Sequence, residues 1–399
     1  MKVTILPSRA AGTVYAPPSK SIAHRALICG ALTKGCTIEN CGYSQDIEAT
    51  LRCLQALGAT VERRENTVMI GGLDPFSIPD HLILDCGESG STLRFLLPLC
   101  LLSGKTVTLI GHGRLMERPM EIYETLCREH NWRYEKHENS ITVCGTMKSG
   151  TYSIPGNVSS QFISGFLFAL SLVSGKSRVE VTENYESVSY VTITKEVLSA
   201  FGISILQQDN TYYLDGNAHY ACANFTVEGD YSNAAFLDAF NLLSGDVKVL
   251  GLSTVTPQGD WVYKKLFADL SSEIRNFNLS DCPDLGPVMF ALAATFGGAE
   301  FTGTARLRIK ESDRIGAMTA ELSKFGISAE VGENFVRILP GTLNAPTEIL
   351  SSHNDHRIVM ALCILCSLTG GTIDGAEAVA KSYPNYFEDI ASIGINVIY

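Results

Sequence analysis

Six strongly apolar segments with helical character recur along the chain and determine its predicted architecture. Each ends at a glycine and leads into a short segment rich in β-branched residues, which is typical of a strand. Most of these glycines are spaced by roughly 70 residues, which indicates an internal repeat. They are Gly35, Gly104, Gly175, Gly245, Gly297 and Gly370. We expect each in the left-handed conformation that closes a helix, because glycine adopts it without steric penalty.

A second, more polar helical segment alternates with the apolar one and leads into a two-stranded hairpin. Its helix ends are marked by Gly58, Asn131, Gly202, Gly326 and Gly394. The gap between the third and fourth markers is nearly double the others, which predicts a degenerate copy near residues 271–278. The two kinds of segment together predict a βαβαββ repeat, with right-handed crossovers between parallel strands.

Six copies of this repeat account for the chain. The sixth stops after the strand-like segment Ile395–Tyr399 and lacks its last strand, whereas Lys2–Leu6 is a strand without a repeat of its own. We therefore expect the N-terminal strand to complete the sixth repeat. One domain is then discontinuous, with residues 1–16 and 229–399, and the other comprises residues 17–228.

The apolar helices also predict how the α/β layers are arranged. A helix that is hydrophobic on all sides must be buried on most of its faces. The segment Phe166–Leu172, with the sequence FLFALSL, is an example. We therefore expect the sheets to enclose the helices rather than to be sandwiched between them.

Composition narrows the possible partners and the compartment. The formal net charge of −11 argues against a protein that coats nucleic acid or a membrane surface. The twelve cysteines form no short disulfide framework and the first residues lack an apolar signal segment, which favours a reducing cytoplasm. Cys363 and Cys366 form a C-x-x-C motif inside an apolar helix with no second pair, so we interpret them as core residues.

The candidate chemistry lies at the starts of the helices. A single Ser or Asp there is most simply a helix cap. Capping does not explain the cations, because the helix dipole disfavours a positive charge at this end by ~0.3–1 kcal/mol. Eight cations lie at or near helix starts: Lys20, Arg25, Arg94, Arg114, Lys310, Arg314, Arg357 and Lys381. In an acidic protein this pattern indicates an anionic ligand with phosphate or carboxylate groups. No metal-ligand spacing is present, so we expect no metal site.

Seven motifs, in order, resemble the family of 5-enolpyruvylshikimate-3-phosphate (EPSP) synthases. They are SKSIAHRAL, GRLMERPM, SSQF, VEGDYSNAAF, IKESDRI, NDHRIVMA and AKSYPNYF, and the resemblance extends from Pro17 to Pro384. It implies two inside-out α/β barrel domains, each of three βαβαββ repeats around buried helices, with the active site in the cleft between them. It also implies transfer of the carboxyvinyl group of phosphoenolpyruvate to the 5-hydroxyl of shikimate 3-phosphate, without metal or organic cofactor.

The resemblance assigns residues to both substrates, position by position. Around shikimate 3-phosphate it implies Ser159, Ser160 and Ser187 at the phosphate, and further Lys20, Ser21, Arg25, Gln161, Tyr190, Asp284 and Lys310. Around phosphoenolpyruvate it implies Lys20, Gly90, Arg114, Gln161, Arg314, Arg357 and Lys381. Asp284 is implied as the general base for the hydroxyl.

The reaction also needs an acid, because the vinyl carbon becomes electrophilic only when its methylene is protonated. We expect Glu311 to be this acid, with His356 and Lys20 as the alternatives. The family's usual Asn-Ala-Gly-Thr is replaced here by Glu88-Ser89-Gly90-Ser91. The added carboxylate would weaken the binding of phosphoenolpyruvate or of the inhibitor glyphosate. The sequence therefore does not predict whether the protein is sensitive to glyphosate.

Two other functions fit parts of the pattern. The related UDP-N-acetylglucosamine enolpyruvyl transferases carry a reactive cysteine in the loop before their Arg-Pro pair, and residues 111–118 contain none. A DNA sliding clamp is also built of repeated α/β modules, but it would carry its cations along the helices that face DNA. We therefore expect small-molecule substrates, no nucleic acid, no membrane and a monomer.

Overall fold

The computed structural model describes residues 1–270 and 274–399, and these pack as two compact units. Unit 1 comprises Met1–Pro17 and Gly229–Tyr399, and unit 2 comprises Pro18–Glu228. The strands of the described residues are β1 (Lys2–Leu6), β2 (Ala11–Tyr15), β3 (Cys36–Glu39), β4 (Thr60–Arg64), β5 (Thr67–Gly71), β6 (Leu82–Asp85), β7 (Val107–Ile110), β8 (Arg133–Lys136), β9 (Ser140–Cys144), β10 (Thr151–Pro155), β11 (Ser177–Thr182), β12 (Leu206–Gln208), β13 (Thr211–Leu214), β14 (Asn224–Thr226), β15 (Asp246–Leu250), β16 (Asn276–Asn278), β17 (Ala299–Thr302), β18 (Ala329–Val331), β19 (Phe335–Ile338), β20 (Leu350–Ser351), β21 (Gly371–Asp374) and β22 (Asn396–Ile398).

The helices follow the predicted alternation of apolar and polar segments. They are α1 (Lys20–Ala31), α2 (Gln45–Ala56), α3 (Gly90–Cys100), α4 (Glu121–Glu129), α5 (Ser160–Leu172), α6 (Val188–Ala200), α7 (Tyr231–Leu242), α8 (Tyr263–Asp269), α9 (Gly286–Thr295), α10 (Arg314–Lys324), α11 (His356–Thr369) and α12 (Tyr386–Ser392). Short 3-10 turns precede several of them, including Pro283–Leu285 before α9. No helix in the described parts of the chain is long and apolar enough to cross a membrane.

Unit 2 contains three four-stranded sheets that share the same strand order and pairing pattern. Their strand orders are β14-β3-β5-β4, β6-β7-β9-β8 and β10-β11-β13-β12. In each sheet the first pair is parallel and the other two pairs are antiparallel. Each therefore combines a crossover with a hairpin, as the repeat predicts.

The first sheet of unit 2 takes its outer strand from a distant part of the chain. The strand that precedes α1 is β2, yet β2 pairs with β15 in unit 1. Its place beside β3 is taken by β14, which lies just before α7 in sequence. The chain passes between the units after each of these strands, so each strand stays in the unit opposite to that of the helix it precedes.

Unit 1 contains the sheets β16-β17-β19-β18 and β20-β21-β1-β22 and the pair β15-β2. Strand β1 lies between β21 and β22 and is antiparallel to both, with Val3 opposite Ile373 and Ile5 opposite Val397. This is the position of the second hairpin strand in the other sheets. The prediction that the N-terminal strand completes the sixth repeat is thus confirmed.

The apolar helices are buried within each unit, as predicted. In α5 eleven of the thirteen residues are buried, from Ser160 to Ser171 with the exception of Gln161. In α9 nine of ten are buried, from Gly286 to Ala294. With side chains buried on nearly every face, these helices leave only their ends for polar groups to act, and each N-terminus carries unpaired N–H groups.

Four of the six helix-closing glycines adopt the predicted conformation. Gly104, Gly175, Gly297 and Gly370 have φ between +73° and +95°. At the fourth helix Ser244 takes the left-handed conformation instead, with φ +67°. Gly245 is required for a different reason, because a Cβ there would lie 2.5 Å from the carbonyl oxygen of Phe240. Gly35 is likewise not left-handed, and the prediction was wrong for these two.

The predicted degenerate copy near residues 271–278 is only partly visible. Residues 271–273 lie outside the described residues. Asn276–Asn278 forms β16, which pairs in parallel with β17 and so begins the next repeat rather than forming a hairpin.

The central position of β1 leads to a test of stability. Ile5 is fully buried between two neighbouring strands, so Ile5→Ala should lower the free energy of unfolding by about 2–5 kcal/mol. Leu6→Ala is the matched control because Leu6 is 37% exposed on the same strand, and it should change stability far less. Urea denaturation followed by circular dichroism measures both, and equal effects would contradict the assignment of β1 to the core.

Candidate active site

Unit 2 gathers polar side chains at the starts of four helices. Arg25 of α1 contacts the start of α6, where its Nη2 donates to the Tyr190 carbonyl at 3.0 Å and its Nε to Thr194 Oγ1 at 2.7 Å. Gln161 at the start of α5 contacts α3, with its Nε2 2.9 Å from Ser91 Oγ. These contacts connect α1 to α6 and α5 to α3 near their N-termini, where the unpaired N–H groups of the helices favour anions.

Arg25 is a buried cation whose described hydrogen-bond acceptors are all neutral oxygens. Its third bond runs from Nη1 to the Ser21 carbonyl at 2.6 Å, and only 2% of the residue is exposed. Burial lowers the pKa of this guanidinium to about 9, because desolvation penalises its charge. A buried charge of this kind is stabilised when an anion binds next to it. Arg25 therefore indicates an anion site in unit 2.

The three serines expected at the phosphate lie at helix starts. Ser159 caps α5, with its hydroxyl accepting from Gln161 N at 3.3 Å, and Ser160 is the first residue of that helix. Ser187 precedes α6 with φ +54° and is 1% exposed. A left-handed conformation in a non-glycine residue is strained and is held only where the surroundings fix it. The hydroxyls thus accompany the helix N-termini that favour anions.

Lys20 and Gly90 are held by residues that the sequence analysis did not select. Lys20 Nζ lies 2.7 Å from Asp46 Oδ2. The Arg118 guanidinium packs against Gly90 so closely that a Cβ there would lie 2.7 Å from Arg118 Nη1. Arg118 is 8% exposed, whereas the predicted Arg114 has a side chain that is 47% exposed and pairs with the nearby Glu117. Arg118 therefore packs against the start of α3.

The carboxylate of Glu88 also lies close to this loop. A Cβ at Gly113 would be 2.5 Å from Glu88 Oε2. Gly113 has φ +54°, so both its conformation and its surroundings require glycine. The negative charge that distinguishes this segment is thus next to the loop that carries Arg114 and Arg118.

Unit 1 contains a compact cluster of acids and bases around Asp284. Its Oδ1 lies 2.9 Å from Arg314 Nη1 and 3.3 Å from Lys310 Nζ, and its Oδ2 lies 3.0 Å from Arg357 Nη2. Burial alone would raise the pKa of Asp284. The three cations outweigh that effect and hold the pKa well below its usual range, so the carboxylate is ionised.

Arg314 is the centre of this cluster. Its Nε lies 2.8 Å from Asp355 Oδ2 and its Nη2 lies 2.7 Å from Glu311 Oε2, in addition to the contact with Asp284. Burial would lower the pKa of Arg314, but Asp355, Glu311 and Asp284 together raise it above its usual value. A planar guanidinium can serve several carboxylates at once because its five N–H groups point in fixed directions.

Lys310, Arg357 and Lys381 are the other predicted site cations of unit 1. Burial lowers the pKa of Lys310 to about 8, although Asp284 partly opposes this. Arg357 is the second residue of α11 and donates to Ser232 Oγ at 2.9 Å, which connects it to the start of α7. Lys381 is 4% exposed and donates to the Asn354 carbonyl at 2.7 Å.

His356 lies beside this cluster. It is 1% exposed, and its Nδ1 is 3.7 Å from Asp355 Oδ1. The same Asp355 carboxylate binds Arg314. Among the described residues, no group of three or more His, Cys, Asp or Glu side chains is arranged to hold a metal ion.

Most of the predicted site residues contact other predicted site residues of the same unit, directly or through one further residue. In unit 1 the contacts join Asp284, Lys310, Glu311, Arg314, Arg357 and, through Asp355, His356. In unit 2 they connect Ser21, Arg25 and Tyr190, and separately Ser159 and Gln161. Sequence reasoning missed Asp46, Arg118 and Asp355 as site residues. An acidic residue in the first turn or at the cap of a helix has an ordinary structural explanation, so Asp46 and Asp355 gave no distinct signal.

Comparison with known proteins agrees with this geometry. The family model for EPSP synthase (3-phosphoshikimate 1-carboxyvinyltransferase) matches residues 6–390. The chain belongs to the EPSP synthase family. A 3-phosphoshikimate 1-carboxyvinyltransferase of Clostridium kluyveri is 39% identical, over 98% of this chain and 97% of the relative. One of Clostridium perfringens is 35% identical, over 98% of both chains.

A solved structure of EPSP synthase from Acinetobacter baumannii is similar in fold. The superposition has a TM-score of 0.80 at 24% sequence identity and covers both chains completely. The inside-out α/β fold of the EPSP synthase family is therefore the fold of this chain. Neither the UDP-N-acetylglucosamine transferase nor the sliding clamp is favoured by these comparisons.

The buried pair Arg314–Asp355 leads to a second prediction. Asp355→Asn keeps the capping oxygen of α11 but removes the charge opposite a guanidinium that is 1% exposed. We expect the free energy of unfolding to fall by about 1–3 kcal/mol, because a buried hydrogen bond between charged groups is lost while Asp284 and Glu311 still contact Arg314. Asp313→Asn is the matched control, since Asp313 caps α10 with a carboxylate that is 42% exposed. Comparable losses in urea denaturation would mean that capping, not charge pairing, dominates.

Proposed function

We propose that the chain transfers the carboxyvinyl group of phosphoenolpyruvate to the 5-hydroxyl of shikimate 3-phosphate and releases inorganic phosphate. The reaction proceeds by addition and elimination. In the addition the substrate hydroxyl loses its proton and forms a C–O bond to the central carbon of phosphoenolpyruvate, whose methylene gains a proton. In the elimination the C–O bond to the phosphate breaks and the methyl group loses a proton, which restores the double bond. The observation that carries the proposal is the Asp284 cluster, in which one carboxylate contacts Arg314, Lys310 and Arg357. The family match supports the same reaction.

The unit 2 residues are proposed to bind shikimate 3-phosphate. Its phosphate accepts from Ser159, Ser160 and Ser187 and from the N–H groups at the starts of α5 and α6. Arg25 supplies the positive charge, which in the absence of substrate faces neutral oxygens. Lys20, Ser21, Gln161 and Tyr190 are the other members of this set in unit 2, and Asp284 and Lys310 are proposed to contact the reacting hydroxyl.

The cations of unit 1 are proposed to bind phosphoenolpyruvate, together with Lys20, Gly90 and Gln161. This ligand carries about three negative charges, which suits Arg314, Arg357 and Lys381. Arg114, whose side chain is 47% exposed, belongs to the same proposed set, and the buried Arg118 packs beside Gly90.

Asp284 is proposed as the general base and Glu311 as the acid. The cations around Asp284 hold its pKa too low for an effective base while no substrate is bound. Anionic phosphoenolpyruvate competes for Arg314 and Arg357, and this competition raises the pKa of Asp284 as the reaction begins. Glu311, which also contacts Arg314, then delivers a proton to the methylene, with His356 and Lys20 as the alternative donors.

The remaining expectations belong to the same proposal. The partners are small molecules, the chain acts as a monomer in the cytoplasm, and the product feeds the synthesis of chorismate and aromatic amino acids. The net charge of −11 supports the absence of nucleic acid among the partners.

The direct test is release of inorganic phosphate from phosphoenolpyruvate, without added metal. We expect release to depend on shikimate 3-phosphate and not to occur with UDP-N-acetylglucosamine. Asp284→Ala should lower kcat by at least about a hundredfold, since a positioned general base contributes that much. Phosphate release with UDP-N-acetylglucosamine but not with shikimate 3-phosphate would identify a different acceptor. Full activity of Asp284→Ala would exclude Asp284 as the general base.

The low pKa of Lys310 leads to a prediction about pH. With a pKa of about 8, Lys310 is protonated below pH 8 and loses its charge as the pH rises above it. We therefore expect kcat/KM for shikimate 3-phosphate to fall as the pH increases beyond 8. Lys310→Arg keeps the charge over this range and should lack the decline. The same decline in Lys310→Arg would show that another group titrates.

A further inference from the structure

Glu321 is a buried carboxylate in α10 that is not part of the predicted site. Its Oε1 lies 2.9 Å from His353 Nε2, and its Oε2 accepts from Lys324 Nζ at 2.9 Å and from Ser351 N at 3.0 Å. Only 2% of the residue is exposed. Two of these three partners belong to the segment 351–355, which connects β20 to α11 and which we call the α11 approach.

The α11 approach has an unusual backbone. His353 and Asn354 both adopt the left-handed conformation, with φ +48° and +54°. Two consecutive non-glycine residues in this conformation are strained and persist only when surrounding contacts fix them. The strained pair directly precedes Asp355, the N-cap of the helix that carries His356 and Arg357.

Helix α10 holds this segment at two points. Arg314 Nε binds Asp355, and Glu321, seven residues later, binds His353 and the backbone of Ser351. Seven residues correspond to about two helical turns, so both side chains project from one face of α10. The same helix face therefore fixes both ends of the strained turn.

A close contact supports the segment from β21 as well. Ser352 N donates to the Asp374 carbonyl at 2.9 Å. A Cβ at Gly375 would lie 2.3 Å from Ser352 Oγ, so there is no room for a side chain at that position. The α11 approach is thus confined by α10 and by the turn after β21.

The turn presents groups that the proposed function uses. The carbonyl of Asn354 accepts from Lys381 Nζ at 2.7 Å, and Asp355 binds Arg314 while its Oδ1 accepts from Arg357 N. A shift of the turn would displace Lys381, Arg314 and Arg357 together. These are the three cations proposed for phosphoenolpyruvate.

We propose that Glu321 is a positioning residue, which fixes the left-handed turn His353–Asn354 and thereby places the cations that bind phosphoenolpyruvate. This inference rests on the proposed function. Glu321 itself is not proposed to contact substrate. Its replacement should therefore affect the binding of phosphoenolpyruvate, which those cations bind.

The test compares Glu321→Gln and His353→Ala with wild type in steady-state kinetics, with each substrate varied separately. We expect KM for phosphoenolpyruvate to rise by about tenfold or more, because small displacements of binding groups have effects of this size. KM for shikimate 3-phosphate should stay within about twofold, since that substrate is bound mainly by unit 2. His353→Gln retains an amide donor for Glu321 and should recover most of the loss.

Glu348→Gln is the matched control, because Glu348 is an exposed carboxylate just before β20. It should leave both KM values unchanged. His353→Ala guards against a failure of Glu321→Gln to fold, since the His353 side chain is 33% exposed. Thermal unfolding of every variant separates a loss of stability from a change in binding.

The outcomes distinguish the inference from the proposed function. Wild type that releases no phosphate from the two substrates would overturn the proposed function, and the inference with it. An active wild type whose His353→Ala variant unfolds at a lower temperature but keeps its KM for phosphoenolpyruvate would overturn the inference alone. Equal increases in both KM values would also overturn it, since they would show a general loss of structure.

Discussion

Burial of the apolar helices is the constraint on which the rest of the structure depends. Helices such as α5 and α9 are covered by protein on nearly every face, so their sides cannot carry chemistry. Their N-termini remain, with unpaired N–H groups and a partial positive charge. The fold therefore concentrates polar function at helix starts, and the cations found there add to a positive potential that the helices already provide.

Cations at helix starts are electrostatically unfavourable, and carboxylates within each unit offset this cost. Arg314 contacts Asp284, Glu311 and Asp355, and Lys20 contacts Asp46. Arg25 is the contrasting case, because its described partners are neutral oxygens and burial lowers its pKa. The two arrangements suit two kinds of anion site. In the proposed function, substrate would compete with carboxylates at Arg314 and would supply the missing negative charge at Arg25.

Much of the fold and part of the site could be predicted from the sequence. The repeat and the truncated last copy predicted the place of β1, because hydrophobic periodicity and strand count are local properties. The predicted domain bounds already place β2 and β14 in different units, but their pairing with β15 and β3 could not be predicted, since short strands carry no mark of their partner. Likewise, nothing in the sequence was a reason to select Arg118, because only three-dimensional packing shows that it is buried against Gly90. Asp355 was missed because its role as the N-cap of α11 already explains an aspartate at this position, and the sequence carries no sign of its contact with Arg314.

The central claim is that the helix starts of unit 2 bind the phosphate of the acceptor and that the cation cluster of unit 1 does not. A crystal structure of the protein soaked with shikimate 3-phosphate alone tests it most directly. The account predicts phosphate oxygens within hydrogen-bonding distance of Ser159, Ser160 and Ser187, with Arg25 as the nearby charge. Phosphate bound instead at Arg314 and Arg357, with the serines unoccupied, would contradict it.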